Sequence, residues 1–186
     1  MYKNLYIALL HYPVYNKRGD IVTTAVTNMD LHDISRAART YDVKGFYIIT
    51  PIEQQQAFVE RILRHWQEEY GIIYNPSRKE AFDIIRLEET LDDAITAISQ
   101  ESGEKVHVVV TSASSRREPL TYEALKEKIS KSEETFLIVF GTGWGIADEV
   151  VEKADFFVEP IRGSSDYNHL SVRSAAAITL DRLCGQ

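Results

Sequence analysis

Two short stretches, Val106-His-Val-Val-Val110 and Phe136-Leu-Ile-Val-Phe140, are apolar at almost every position. A strand with one face in water alternates apolar and polar side chains. A continuous run therefore needs cover on both faces, which a parallel sheet sandwiched between helices provides. Four more runs read as strands, at residues 5–10, 45–49, 82–87 and 156–158. Between them the spacing predicts helices over about 29–41, 52–69, 90–100 and 122–130, a short one after Gly145, and a last one over about 170–183. Strands alternating with helices imply an α/β fold with a mainly parallel, six-stranded sheet flanked by helices. Sheets of this kind bind ligands at the carboxyl ends of their strands.

The first helix can be capped by Thr27 or Asn28, and Asp30 and Asp33 suit its positive end. Leu31, Ile34, Ala38 and Tyr41 recur at helical spacing and should face the sheet. Gly71 stops the second helix. Two connections are long for simple links: residues 11–27, and the polar loop 160–169, rich in Gly, Ser, Asp and Asn.

A length of 186 residues suggests one domain spanning 1–186, enough to bury a core without crosslinks. The single cysteine, Cys184, cannot form an internal disulfide, and no Cys/His cluster has metal spacing. No signal peptide or membrane-length apolar run is seen, so the expected compartment is the cytoplasm, with no membrane contact. The net charge of −7 argues against a broad, charge-driven nucleic-acid binder. It leaves room for a local basic patch.

Three segments can carry chemistry. Phe140-Gly-Thr-Gly-Trp-Gly145 follows a buried strand, and its alternate glycines allow positive φ and close backbone approach. It lacks the lysine of a P-loop and the spacing of a dinucleotide fingerprint. The stretch 157–178 joins a strand, a polar loop and a helix carrying Ala175-Ala-Ala177, which Asn168 or its neighbours can cap. That helix is apolar on several faces, so it has more than one packing partner. The helix at 29–41 places Arg36 and Arg39 one turn apart on a shared face, a pair suited to phosphate or to neighbouring carboxylates.

Together these segments resemble the SPOUT methyltransferases, whose C-terminus threads a deep trefoil knot. The whole chain resembles a small bacterial family within that class, through Leu9-Leu-His-Tyr-Pro13, Thr24-Ala-Val-Thr-Asn28, His32-Asp-Ile-Ser-Arg36, Tyr74-Asn-Pro-Ser-Arg78, the glycine turn and Asp166-Tyr-Asn-His-Leu-Ser-Val-Arg173. The resemblance implies S-adenosylmethionine-dependent methyl transfer to RNA, transfer or ribosomal. It implies a homodimer built through the knot helix, with knot and cofactor site at about 106–186. Carried over residue by residue, the cofactor loops are Thr111, Ser112 and Ala113; Gly141, Thr142, Gly143, Trp144 and Gly145; and Pro160, Ile161, Arg162, Asn168, Leu170, Ser171 and Ser174. Glu159 and Asp166 would tolerate the cationic sulfonium.

Arg36 falls where the ribose-methylating branch of the class places its catalytic arginine. Asp166 and His169 are the candidate proton acceptors, against a plain loop-capping role for each. Asp30 stands where that branch usually has Asn. Ser171 and Arg173 stand in place of Asn and Ser. The target is thus a ribose hydroxyl or a base nitrogen. An alternative is an S-adenosylmethionine-binding, RNA-binding or regulatory protein without transferase activity. A third reading is an unrelated nucleotide-binding enzyme. Lys17-Arg18, Arg116-Arg117 and the 74–79 turn are basic enough to meet phosphates, with Tyr12, Tyr15 or Tyr74 stacking on a base.

Overall fold

The computed structural model describes residues 4–68, 73, 75–113 and 118–186. Gly71, Tyr74 and Arg116-Arg117, singled out above, lie outside the described residues. The chain runs β1 (Leu5–Leu10), β2 (Val14–Tyr15), β3 (Ile21–Val22), α1 (Asn28–Thr40), β4 (Gly45–Ile49), α2 (Glu53–Gln67), α3 (Pro76–Phe82), β5 (Ile85–Glu88) and α4 (Leu91–Ser102). It continues through β6 (Val106–Val110), α5 (Tyr122–Lys131), β7 (Thr135–Gly141), α6 (Asp148–Val151), β8 (Phe156–Phe157) and α7 (Val172–Cys184).

Six strands form one sheet in the order β5-β4-β1-β7-β6-β8, and every pair is parallel. The both-face burial expected of the 136–140 run is met in full, and that of 106–110 everywhere but at half-buried His107; β1 and β4 are buried throughout as well. Along β1, Leu5, Ile7 and Leu9 enter one core, and Tyr6, Ala8 and Leu10 enter the other. The first core is closed by Leu31, Ile34 and Ala38 of α1, Val59 of α2, Phe82 of α3, Leu125 of α5, and Ala176, Leu180 and Leu183 of α7. The second is closed by Leu91, Ala94 and Ile98 of α4 and by Val150 and Val151 of α6.

Helix ends follow local chemistry. Thr27 caps α1 by accepting from the Asp30 N–H, and Thr90 and Asp93 form a reciprocal capping box on α4. Two expectations change. The strand expected at 82–87 begins at Ile85, because Asn75 caps a helix with Pro76 in its first turn. That helix carries through Phe82, a fully buried core side chain. Ser171, not Asn168, caps α7 by accepting from the Ser174 N–H at 3.2 Å. The long link 11–27 contains the antiparallel β2–β3 hairpin, with Gly19 at φ +86 in its turn.

A candidate active site at the carboxyl ends of three strands

The chain leaves β1 toward β4 and β5 on one side, and later fills the other side with β7, β6 and β8. At the carboxyl ends of β6, β7 and β8 lies a cavity of about 890 Å³. That is the edge where open α/β sheets take ligands. Three loops wall it.

The first loop, Thr111 to Ala113, continues β6. The Thr111 N–H and hydroxyl both donate to the Val139 carbonyl, at 3.1 and 3.0 Å. The second is the glycine turn after β7. The Thr142 hydroxyl donates to the Leu10 carbonyl at 3.0 Å and meets the Thr24 hydroxyl. The Trp144 N–H donates to the Tyr15 carbonyl, and the Tyr15 N–H to the Gly145 carbonyl, both at 2.8 Å. Val14 and Ile146 form an antiparallel bridge beside them. The turn is thereby pinned to β2 of the hairpin.

This packing gives the glycines distinct roles. A Cβ on Gly141 would run into the Ile146 side chain. Gly143 sits at φ +60, and a Cβ there would stand 2.8 Å from the Tyr15 carbonyl oxygen. Gly145, at φ +121, has open space beside it. So the first two glycines admit the chain's own neighbours, and Gly145 alone has room beside it for a ligand.

The third loop leaves β8. The Glu159 N–H donates to the Leu120 carbonyl at 2.9 Å, and Glu159 Oε1 accepts from the Tyr122 N–H at 3.2 Å. Beyond Pro160 the loop is mostly exposed. Its side-chain tie to the first loop is Asn168 Nδ2, which donates to the Ala113 carbonyl at 2.7 Å. His169 lies edge-on to Tyr167, with ring centroids 5.2 Å apart.

Thr111, Ser112, Ala113, the five residues of the glycine turn, Ile161, Asn168, Leu170 and Ser171 all line the cavity, as do Asp166 and His169. Pro160, Arg162 and Ser174 do not; Pro160 is buried, Arg162 is exposed, and Ser174 serves the α7 cap. Arg36 is exposed on α1 outside the lining. Its turn-mate Arg39 is engaged by Glu80 and Asp42.

The lining also includes Tyr122, Thr179 and Asp30, none of them among the expected site residues. Tyr122 and Thr179 join hydroxyls at 3.2 Å across a buried contact, and burial raises the Tyr122 phenol above its usual range. Asp30, buried in the first turn of α1, also lines the cavity. It accepts from the Thr27 hydroxyl at 2.6 Å. Arg173 reaches from α7 to 3.6 Å from both Asp30 and Asp33. The sequence signal for this pair was present: Asp30 and Arg173 are both departures from the expected motifs, and they face each other.

Among the described lining residues the acids are Asp30, Glu159 and Asp166, and no Lys or Arg occurs. Behind the glycine turn, His11 is wholly buried, with Nδ1 at 3.0 Å from the Thr24 hydroxyl. Its Nε2 has no hydrogen-bond partner among the described residues. Burial lowers this imidazole to about 4, against a smaller upward pull from Asp30. It is therefore neutral at physiological pH.

Among the described residues no helix is long and apolar enough to cross a membrane. The fold resembles the TrmH/SpoU tRNA modifying enzyme of Aquifex aeolicus, with a TM-score of 0.60 at 17% identity over 97% of this chain and 74% of that one. An uncharacterized protein of Aquifex aeolicus is 44% identical over 181 residues, 97% of this chain and 88% of its own length. A protein of Oleidesulfovibrio alaskensis named tRNA (guanine-N(1)-)-methyltransferase is 42% identical over 98% of this chain, which spans only 42% of that longer protein. Residues 4–185 match the family described as SAM-dependent RNA methyltransferase. With the parallel sheet and the three-loop cavity in place, the chain belongs to that family of S-adenosylmethionine-dependent RNA methyltransferases.

Proposed function

We propose that this chain methylates a nucleotide of transfer RNA in the cytoplasm, as a homodimer, with S-adenosylmethionine held in the three-loop cavity. The observation that carries the cofactor's place is the charge of the lining: three carboxylates, no Lys or Arg among the described residues, and apolar walls from Ile161, Leu170 and Val172. A cationic sulfonium beside an adenine fits such a lining, whereas a polyphosphate would be repelled by it. This also weighs against the unrelated nucleotide-binding reading. When bound, S-adenosylmethionine supplies an electrophilic methyl group on a positively charged sulfur.

In this reading Thr111, Ser112, Ala113, Gly141, Thr142, Gly143, Gly145 and Asn168 offer backbone or side-chain polar contacts. Ile161, Leu170 and Ser171 complete the wall. Pro160 and Ser174 act indirectly, by fixing the loop and the α7 cap, and Arg162 stands outside. Asp166 and His169 take the proton released from the target atom, since both line the cavity from its solvent-facing loop. Arg36, with no ionic partner among the described residues, grips an RNA phosphate. The names of the longer relatives support transfer RNA as substrate. The multi-sided apolar character of α7, with Leu170 and Tyr167 exposed before it, supports a knot and a dimer around that helix.

Calorimetry with S-adenosylmethionine or S-adenosylhomocysteine is the direct test, with saturable, one-to-one binding per chain expected. Absence of heat at millimolar ligand overturns the cofactor's place. With labelled cofactor and bulk transfer RNA, Arg36→Ala should keep cofactor affinity and lose methyl transfer. Undiminished transfer removes Arg36 from the mechanism. Sedimentation that shows a monomer at every concentration removes the dimer.

A further inference from the structure

Trp144 is 63% exposed, although it occupies the middle of the glycine turn and lines the cavity. Its exposure is not the slack of a loose loop. Its N–H is bonded to the Tyr15 carbonyl, and Ile146, two residues on, is buried and bridged to Val14. A large exposed ring carried on a pinned backbone at the rim of a site is a surface prepared for a flat partner.

The charges around it specify that partner. Lys17 Nζ stands 5.8 Å from the indole centroid, and Arg18 follows it in the hairpin turn. Neither cation has a carboxylate partner among the described residues, while Asp20 is occupied by the Asn16 amide. Four other lysines of this acidic chain do have carboxylate partners: Lys79 with Asp83, Lys105 with Asp155, Lys131 with Glu127, Lys153 with Asp92. An unneutralised cation beside an exposed indole, with a second next to it in the chain, suits a base that stacks with its phosphate alongside. A two-fold contact with a second copy through this patch would instead bring like cations together.

We propose that Trp144, Lys17 and Arg18 form a stacking platform for an unpaired RNA base, seated on the rim of the cofactor cavity. The platform rests on the reading of the chain as an RNA methyltransferase. It adds that the target is presented single-stranded, with one base stacked on the indole.

The chain has two tryptophans, so Trp66→Phe leaves Trp144 as the sole indole fluorophore. The probe is a mixed-sequence single-stranded RNA oligonucleotide, compared with a blunt duplex of the same length. Anisotropy of labelled RNA reports binding in parallel on the otherwise unaltered chain. The single strand should quench Trp144 emission on binding, and the duplex should quench far less. Trp144→Ala should weaken single-strand binding about tenfold, with Trp144→Phe retaining most of the affinity. The double variant Lys17→Ser, Arg18→Ser should lower the slope of log affinity against log salt by about 1.4. RNA binding with neither quenching nor sensitivity to Trp144→Ala overturns the platform and leaves the methyltransferase reading standing. No binding of any RNA by the unaltered chain overturns both. A shift of Trp144 emission with protein concentration alone assigns the ring to a second copy, and overturns the platform.

Discussion

Two walls of the same cavity are built in opposite ways. The glycine turn is locked by backbone bonds to the hairpin and by threonine hydroxyls reaching Leu10 and Thr24. The loop from Pro160 to Leu170 is mostly exposed, and its side-chain tie to the facing wall is the amide of Asn168. The rigid wall fixes a shape before any ligand arrives, which limits the ordering cost of binding. The exposed wall carries Asp166 and His169 and can adjust over whatever sits inside. Preorganisation and adaptability are thus divided between two neighbouring strand ends.

Substitutions on the two walls should therefore differ in kind. Gly143→Val is the harshest: a β-branched residue at φ +60, aimed at the Tyr15 carbonyl, should cost about 3 kcal/mol of stability. Urea unfolding measures it, and a variant as stable as the parent would dissolve the claim of a locked wall. The packing of Tyr15 against the glycine makes this a change to the fold as well as to the ligand site.

His11 probes the same wall through pH. Its folded value near 4 lies below the ordinary 6.5, so the unfolded chain binds the proton more readily. Stability from this group is full above about pH 6.5 and is lost as pH falls toward 4. At pH 5 the loss is about 2 kcal/mol relative to pH 7. His11→Gln should flatten the difference between those two pH values in urea titrations. An unchanged pH dependence would place the acid sensitivity elsewhere.

The smallest effect belongs to the exposed wall. Asn168→Ala should leave global stability within about 0.5 kcal/mol. Cofactor affinity should fall about fivefold, the equivalent of about 1 kcal/mol for one lost hydrogen bond. Calorimetry beside thermal melting separates the two. A large drop in melting temperature would make this wall as structural as its neighbour.

The sheet was legible because β1, β4, β6 and β7 must be covered on both faces, and their apolar runs say so. The hairpin was not, because two-residue strands are too short to carry a period; only the length of the 11–27 link hinted at it. Phe82 misled for a related reason: an apolar residue just before a strand extends the run, whereas the Asn75-Pro76 start of α3 claims it for a helix. In the site, the glycine turn and polar loop were visible as segments, and the cavity gathers most of their residues. What the glycines make room for was not visible, since Tyr15 lies 128 positions from Gly143. Tyr122 and Thr179 escaped notice because their hydroxyls meet only after α5 and α7 pack.

The reach of Arg173 toward Asp30 carries a consequence for how this chain can change. One buried carboxylate lines the cavity from α1, and its counter-charge arrives from a helix near the other end of the sequence. Losing Arg173 first leaves the buried Asp30 carboxylate without its counter-charge, whereas losing Asp30 first leaves Arg173 with Asp33. The disfavoured step therefore lies on one side only: the two substitutions are epistatic in order, with Asp30 neutralised before Arg173 is given up.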